Sequence, residues 1–299
     1  MKTTLWQWLY LGLSAVLAGA AEPTPRVVFL GDSITQDGRY VSRVDAAMIS
    51  QRPSEVWEIL SVGLASETVS GLSEDGHAGG AFPRPDVAER LDRVLTQMKP
   101  TLVFACYGMN CGIYKPLDAE RFAAYQRGMT SLREKVLATG AKFVVMTPPV
   151  FDVHAQTKPG AAAPAFDYDD VLAAYSAWLV GKRAEGWTVL DLHTPMNAQL
   201  LEKRKAQPEF TFSKDGVHPD DEGHQIMAGV ICEHLGLKNE SPPAVLEKVT
   251  EKQTLLKLAW LSATGHKRPG IQAGLPLAEA QAKAAVLDRE AREAAKAPQ

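Results

Sequence analysis

Cysteine is scarce in this chain: Cys106, Cys111 and Cys232 are the only three in 299 residues. An odd count leaves at least one thiol unpaired, so no disulfide framework supplies the stability, and a zinc site built from cysteines is excluded. Cys106 and Cys111 could bridge each other, but both flank a turn argued below to carry chemistry, which favours free, partly buried thiols. Basic excess is missing too. Lys and Arg number 32 against 35 Asp and Glu, for a formal net charge of -3; nothing is available to neutralise a run of phosphates, so nucleic acid is excluded as a partner. A long hydrophobic run is also lacking. Leu5 to Leu17 is interrupted by Gln7 and falls short of the roughly 20 apolar residues of a spanning helix, so no stable membrane anchor is expected.

That short run instead follows Lys2 and precedes Ala18-Gly19-Ala20, the charged start, apolar middle and small-x-small end of a secretory signal. Residues 1–20 are therefore read as a signal peptide, and the mature chain as exported, periplasmic or extracellular. With 45% hydrophobic residues the remainder has ample material for one buried core.

Short β-rich runs alternate with segments of helical period. The runs are Val27 to Leu30, Val56 to Val62, Leu102 to Tyr107, Phe143 to Met146 and Trp187 to Leu190. Between them Val87, Leu91, Val94, Leu95 and Met98, then Phe122, Met129, Leu132 and Val136, then Val171, Leu172, Tyr175 and Leu179 recur at helical spacing. Continuous apolar strands joined by right-handed helical crossovers predict a parallel sheet covered on both faces. The fold class is α/β: a three-layer α/β/α sandwich with a parallel, flavodoxin-like five-stranded sheet. Ligands in such sheets bind beyond the carboxyl ends of the strands. Ser70 to Pro85 and Phe151 to Ala165 read as loops on that side from their Gly and Pro content. The domain plan is a hydrolase domain over 21–240 and a C-terminal helical appendage over 241–299, its last dozen residues expected to fray.

The first strand runs into Gly31-Asp32-Ser33. A serine hydroxyl is a weak nucleophile until a base takes its proton, and Asp215-Gly216-Val217-His218 supplies an imidazole with a carboxylate close enough to orient it. The reaction further needs donors for the oxygen that becomes negative, and Asn110, in Gly108-Met109-Asn110 after the third run, offers an amide at the same edge.

These blocks, in this order over most of the chain, resemble the SGNH hydrolase superfamily, also called GDSL esterases and lipases. The resemblance implies Ser33 as nucleophile, His218 as base, Asp215 as its partner, and Asn110 with the Ser33 backbone amide in the oxyanion hole. The family's second block usually holds a glycine whose amide completes the hole; pairing Glu67-Thr68 with the family's Asp-Thr puts Ser66 there, with Gly63 as the alternative register. Cys111 stands where many relatives carry Asp. The surrounding wording looks like GDSL-type hydrolases of bacteria that export polysaccharide-degrading enzymes.

His193, His224 and His234 lie near helical patterns without a second ligand at metal spacing, so they read as hydrogen-bonded structural histidines; no metal and no cofactor are implied. His77 and Arg84 in the Ser70 to Pro85 loop are candidates for substrate binding, as are His266, Lys267 and Arg268 in the appendage, against solvated loop polarity as the plain alternative. The expected function is hydrolysis of a short-chain acyl ester, an acetyl group on a carbohydrate foremost. The alternatives are a lipase or lysophospholipase for longer chains, acyl transfer to a second alcohol, and a carbohydrate-binding module with a vestigial site.

Overall fold

The computed structural model describes residues 24–156 and 166–296; the signal-peptide reading falls outside these. Five parallel strands, β1 (Arg26–Gly31), β2 (Glu58–Ser61), β3 (Leu102–Cys106), β4 (Lys142–Met146) and β5 (Thr188–Leu190), form one sheet in the order β2-β1-β3-β4-β5. Val28, Phe29 and Leu30 have no exposed surface. This is the signature of a strand buried on both faces. Phe29 and Phe104 stack across β1 and β3 at 4.8 Å.

The helices are α1 (Ser33–Asp37), α2 (Arg39–Gln51), α3 (Leu91–Met98), α4 (Ala119–Ala138), α5 (Val153–Gln156), α6 (Asp169–Gly181), α7 (His193–Ala206), α8 (Asp221–His234), α9 (Pro243–Thr264) and α10 (Leu277–Ala294). Because the chain reverses its direction across the sheet after β2, right-handed crossovers put α2 on one face and α3, α4 and α6 on the other. The three helical stripes read from sequence lie in α3, α4 and α6, with Val87 in a short 3-10 turn ahead of α3. The second strand is shorter than expected, since Val56 is exposed. The loop after β2 contains a 3-10 turn at His77–Gly80.

The C-terminal helices are built into the molecule. Leu256, Trp260 and Leu261 of α9 and Ala284 of α10 join the main core, while Val245, Val249 and Ala291 close a smaller cluster on Ala46 and Ile49 of α2. Within the described residues the expected fraying from Arg289 is not observed, since α10 continues to Ala294, with Ala291 buried and Arg292 paired to Asp288 at 2.7 Å; residues 297–299 of that stretch lie outside the described residues. Ala280, Ala284 and Ala291 let this helix approach closely, with Leu287 the one large apolar side chain among its buried residues. All three cysteines are free and buried, Cys106 and Cys111 more deeply than the partial burial expected. None of the described helices is long and apolar enough to cross a membrane.

Candidate active site

The strand order turns at β1, leaving a crevice beyond its carboxyl end between the segments that follow β2 and β3. Ser33 sits there, on the first turn of α1. Gly31 lets the turn form: an added Cβ would lie 2.1 Å from Thr35 Oγ1 and 2.7 Å from the Cys106 carbonyl oxygen. Asp32 caps α1, its Oδ1 accepting from the Ile34 N–H at 3.0 Å. Burial pushes the Asp32 carboxyl up to about 6, against the opposing pull of that capping bond.

His218 arrives 185 residues later, on the turn that precedes α8. Its Nε2 lies 2.8 Å from Ser33 Oγ, and its Nδ1 lies 2.7 Å from Asp215 Oδ2. The other carboxylate oxygen, Oδ1, accepts from Ser213 Oγ at 2.8 Å, from the Val217 N–H at 2.9 Å and from the His218 N–H at 2.8 Å. Partial burial raises the Asp215 carboxyl, but the bonds from the His218 side chain and from these donors outweigh it and hold the group well below the usual carboxylate range. It is therefore an anion, matched to imidazole Nδ1–H. The pair is open to water, with 49% of the His218 side chain and 56% of Asp215 exposed.

Asn110 follows β3 and is buried. Two donors, Arg84 Nη1 at 2.9 Å and the Tyr114 hydroxyl at 3.2 Å, converge on its Oδ1, while its Nδ2 donates to the Glu67 carbonyl at 3.3 Å. An amide nitrogen carries two protons, so one remains for another acceptor. Ser66, after β2, has φ 67. That left-handed conformation is natural for glycine and strained for serine, and it accords with the register that puts Ser66 at the family's glycine position. The Ser66 N–H has no protein acceptor among the described residues. Gly63 is explained differently: a Cβ there would fall 2.3 Å from the Gln36 nitrogen, so the glycine is needed for packing against α1.

Behind this crevice lies a network the sequence did not announce. Glu67 and Arg90 are both buried and joined by two bonds, at 2.6 and 2.7 Å; Tyr107 donates to Glu67 at 2.6 Å, and Arg90 Nη2 also reaches the Val62 carbonyl at 2.7 Å. It anchors the segment from Val62 to Glu67 from below. Cys111 supports the neighbouring turn in place of the family's Asp, its Sγ accepting from the Val69 N–H at 3.4 Å and its carbonyl from Ser70 Oγ at 3.0 Å. Burial pushes this thiol up to about 12.

The Gly-Asp-Ser, Gly-x-Asn and Asp-x-x-His blocks are thus gathered at one sheet edge. The GDSL-like Lipase/Acylhydrolase family model matches residues 29–226, well over half of the chain. The chain belongs to this family. As a GDSL-like enzyme it is a carboxylic ester hydrolase. Solved structures similar to this GDSL-like fold include a gut microbial diltiazem-metabolizing enzyme, at 24% identity and TM-score 0.56 over 71% of this chain and 47% of that one. They also include an acetylxylan esterase from Geobacillus stearothermophilus, seen as a catalytic mutant, at 19% identity and TM-score 0.51 over 73% of this chain and 97% of that one. The acetyl xylan esterase AlAXEase matches at 16% identity and TM-score 0.54 over 70% and 99%. This chain therefore spans about half the length of the first and nearly all of the other two. No curated protein matches the sequence.

His77 and Arg84 are not solvated polarity, whereas the Lys267 side chain is 80% exposed. Arg84 is only 6% exposed in its side chain and is forked onto Glu74 at 2.6 Å through Nε and through Nη2, with Nη1 on Asn110. Each guanidinium nitrogen thus makes one bond to protein, which uses three of its five N–H donors. His77 is largely buried, bonded to Glu74 through Nδ1 at 3.1 Å and edge-on to Phe82, with its Nε2 making no hydrogen bond among the described residues. His193 bonds Asp169 at 3.1 Å, and His224 accepts from the Tyr40 N–H at 3.3 Å, with burial pushing its imidazole down to about 4. His234 meets Phe104 edge-on. Among the described residues no group of His, Cys, Asp and Glu is placed to hold a metal ion. A cleft of about 870 Å³ between α9 and α10 is lined by Leu255, Leu258, Leu275 and Val286 and contains none of the residues gathered at Ser33.

Proposed function

We propose that this esterase removes a short acyl group, acetyl foremost, from a carbohydrate carrier through an acyl-serine intermediate. The observation that carries the reading is the unbroken relay from Ser33 Oγ to His218 Nε2 at 2.8 Å and from His218 Nδ1 to Asp215 at 2.7 Å. Ser33 attacks the ester carbonyl while its proton passes to His218; Asp215 keeps the imidazole oriented and stabilises its charged form. The tetrahedral oxygen is held by the N–H groups of Ser33 and Ser66 and by Asn110 Nδ2. As the alcohol leaves it takes the proton from His218, and the same base then activates water to release the acid.

Two features support a short acyl group on a polar carrier. The histidine is half exposed at an open sheet edge, which admits a bulky carrier. The wall around Asn110 is polar, made by Arg84, Glu74 and the Tyr114 hydroxyl. A long-chain lipase gains about 0.8 kcal/mol for each CH₂ it buries, and needs an apolar groove to do so. Two of the solved structures similar in fold are named as acetylxylan esterases. The signal-like start at residues 1–20 further fits an exported enzyme that meets such glycans outside the cytoplasm.

The test is a p-nitrophenyl ester series alongside acetylated xylan. We expect kcat/KM to peak at acetate or propionate and fall by octanoate, with acetate released from the glycan. A steady rise to long chains would transfer the assignment to lipids. No hydrolysis of any ester would leave a binding module.

A further inference from the structure

Two of the three oxyanion donors assigned above, Asn110 Nδ2 and the Ser66 N–H, belong to amides whose oxygen end lies on an arginine. The Asn110 amide oxygen accepts from Arg84 Nη1 at 2.9 Å, and the Ala65 carbonyl oxygen accepts from Arg268 Nε at 3.1 Å. The Ala65 carbonyl and the Ser66 N–H belong to one peptide unit. We infer that Arg84 and Arg268 are positioning residues of the oxyanion site, each acting through the far end of the amide that faces the reacting oxygen. This rests on the reading that Ser66 and Asn110 are those donors.

The physical reason is amide resonance. Electron density withdrawn at the oxygen by a guanidinium is withdrawn from the nitrogen as well, so the N–H becomes a stronger donor. Hydrogen bonds in series reinforce one another in this way by roughly 10–30% per bond. The same contacts fix direction. Two donors on Asn110 Oδ1 decide which end of that side chain is oxygen, and Gln36 Oε1, accepting from the Ala65 N–H at 2.5 Å, holds Ala65 from its other side.

Each arginine is itself held. Arg84 is forked onto Glu74 and lies over the Tyr114 ring at 5.3 Å. Arg268 lies over the Phe82 ring at 5.3 Å, with Nη1 on the Pro269 carbonyl at 2.7 Å. Phe82 and Arg84 belong to the loop after β2, so the two arginine supports meet at that loop. Arg268 comes from the segment between α9 and α10, beyond residue 226 where the family match ends. The C-terminal extension thus completes the site, and Lys257 of α9 adds to it by donating to the Gln36 and Asp37 carbonyls at the end of α1.

The test is kinetic, on the full chain, with p-nitrophenyl acetate as substrate and phenylboronic acid as inhibitor; Ser33 Oγ adds to boron and puts a negatively charged centre next to the oxyanion donors. Arg268→Met should lower kcat about three- to tenfold with KM changed by less than about twofold, and weaken the boronic acid by the same factor as kcat. Arg268→Lys should restore part of both. Arg84→Met should cost a similar factor in the otherwise native enzyme but less than about twofold in an Asn110→Ala background, because its route is then already gone. Arg268→Met should keep its full effect in that background. If Arg84→Met does not fold, Arg84→Lys, which retains a charge for Glu74 without the planar fork, carries the same comparison. Unchanged kcat in Arg268→Met, a loss confined to KM, or an Arg84 effect independent of Asn110 would overturn the inference. An Asn110→Ala enzyme with native kcat would instead remove the oxyanion reading beneath it.

Discussion

Ser33 Oγ and His218 Nε2 stand 2.8 Å apart although 185 residues separate them in the chain. Ser33→Ala should therefore abolish turnover of p-nitrophenyl acetate and labelling by a fluorophosphonate probe while the circular dichroism stays native. His218→Ala should lose a comparable factor, since members of one catalytic unit are not additive. A folded Ser33→Ala enzyme with residual native activity would exclude Ser33 as the nucleophile.

Ser66 holds φ 67 with a side chain that disfavours it. Ser66→Gly should raise the unfolding midpoint, by up to about 1 kcal/mol of stability once the entropy of the added glycine is counted, and should keep kcat. Ser66→Pro demands φ near −65° and removes the N–H, so activity should be lost. Thermal melts and steady-state rates check both. Full activity in Ser66→Pro would move the second donor to Gly63.

Asp32 is buried with its carboxyl pushed up to about 6 from an ordinary 3.8. A carboxyl whose folded value is raised binds its proton more tightly in the native state, so its contribution to stability is present below the unfolded value and declines as pH rises between the two. The loss amounts to about 3 kcal/mol by pH 7. Asp32→Asn retains the capping oxygen and lacks the titration. Its midpoint relative to the parent enzyme should improve steadily from about pH 4 to pH 7. A constant difference across that range would show that Asp32 does not titrate there.

Lys252 of α9 is buried between Asp45 of α2, at 2.9 Å, and Asp288 of α10, at 2.7 Å. Those carboxylates, with burial opposing them, hold its ammonium above the usual lysine range. Lys252→Met leaves Asp45 buried without its cation. Breaking such a pair costs about 3–5 kcal/mol, so chemical denaturation should show a large loss. Gln253, which also donates to Asp45 at 2.6 Å, offsets a part. A change below about 1 kcal/mol would mean that the appendage is not coupled to α2 in solution.

The strands and the helices α3, α4 and α6 were legible because apolar period is a local property: Val27 to Leu30 reads as a two-face buried strand before any partner is known. The blocks around Ser33, Asn110 and the Asp215 to His218 turn were legible for a related reason. Each is short, and its chemistry needs particular residue types at fixed spacing. Tertiary structure alone decided what those blocks touch. That Arg84 lies on Asn110 and Glu74 rather than in solvent, that Arg90 neutralises Glu67 under the crevice, and that Arg268 reaches Ala65 from the far end of the chain carry no periodic or spacing signal. A guanidinium reads the same in a loop whether water or a carboxylate surrounds it; only the fold, by removing the water and fixing the partner, assigns it a role.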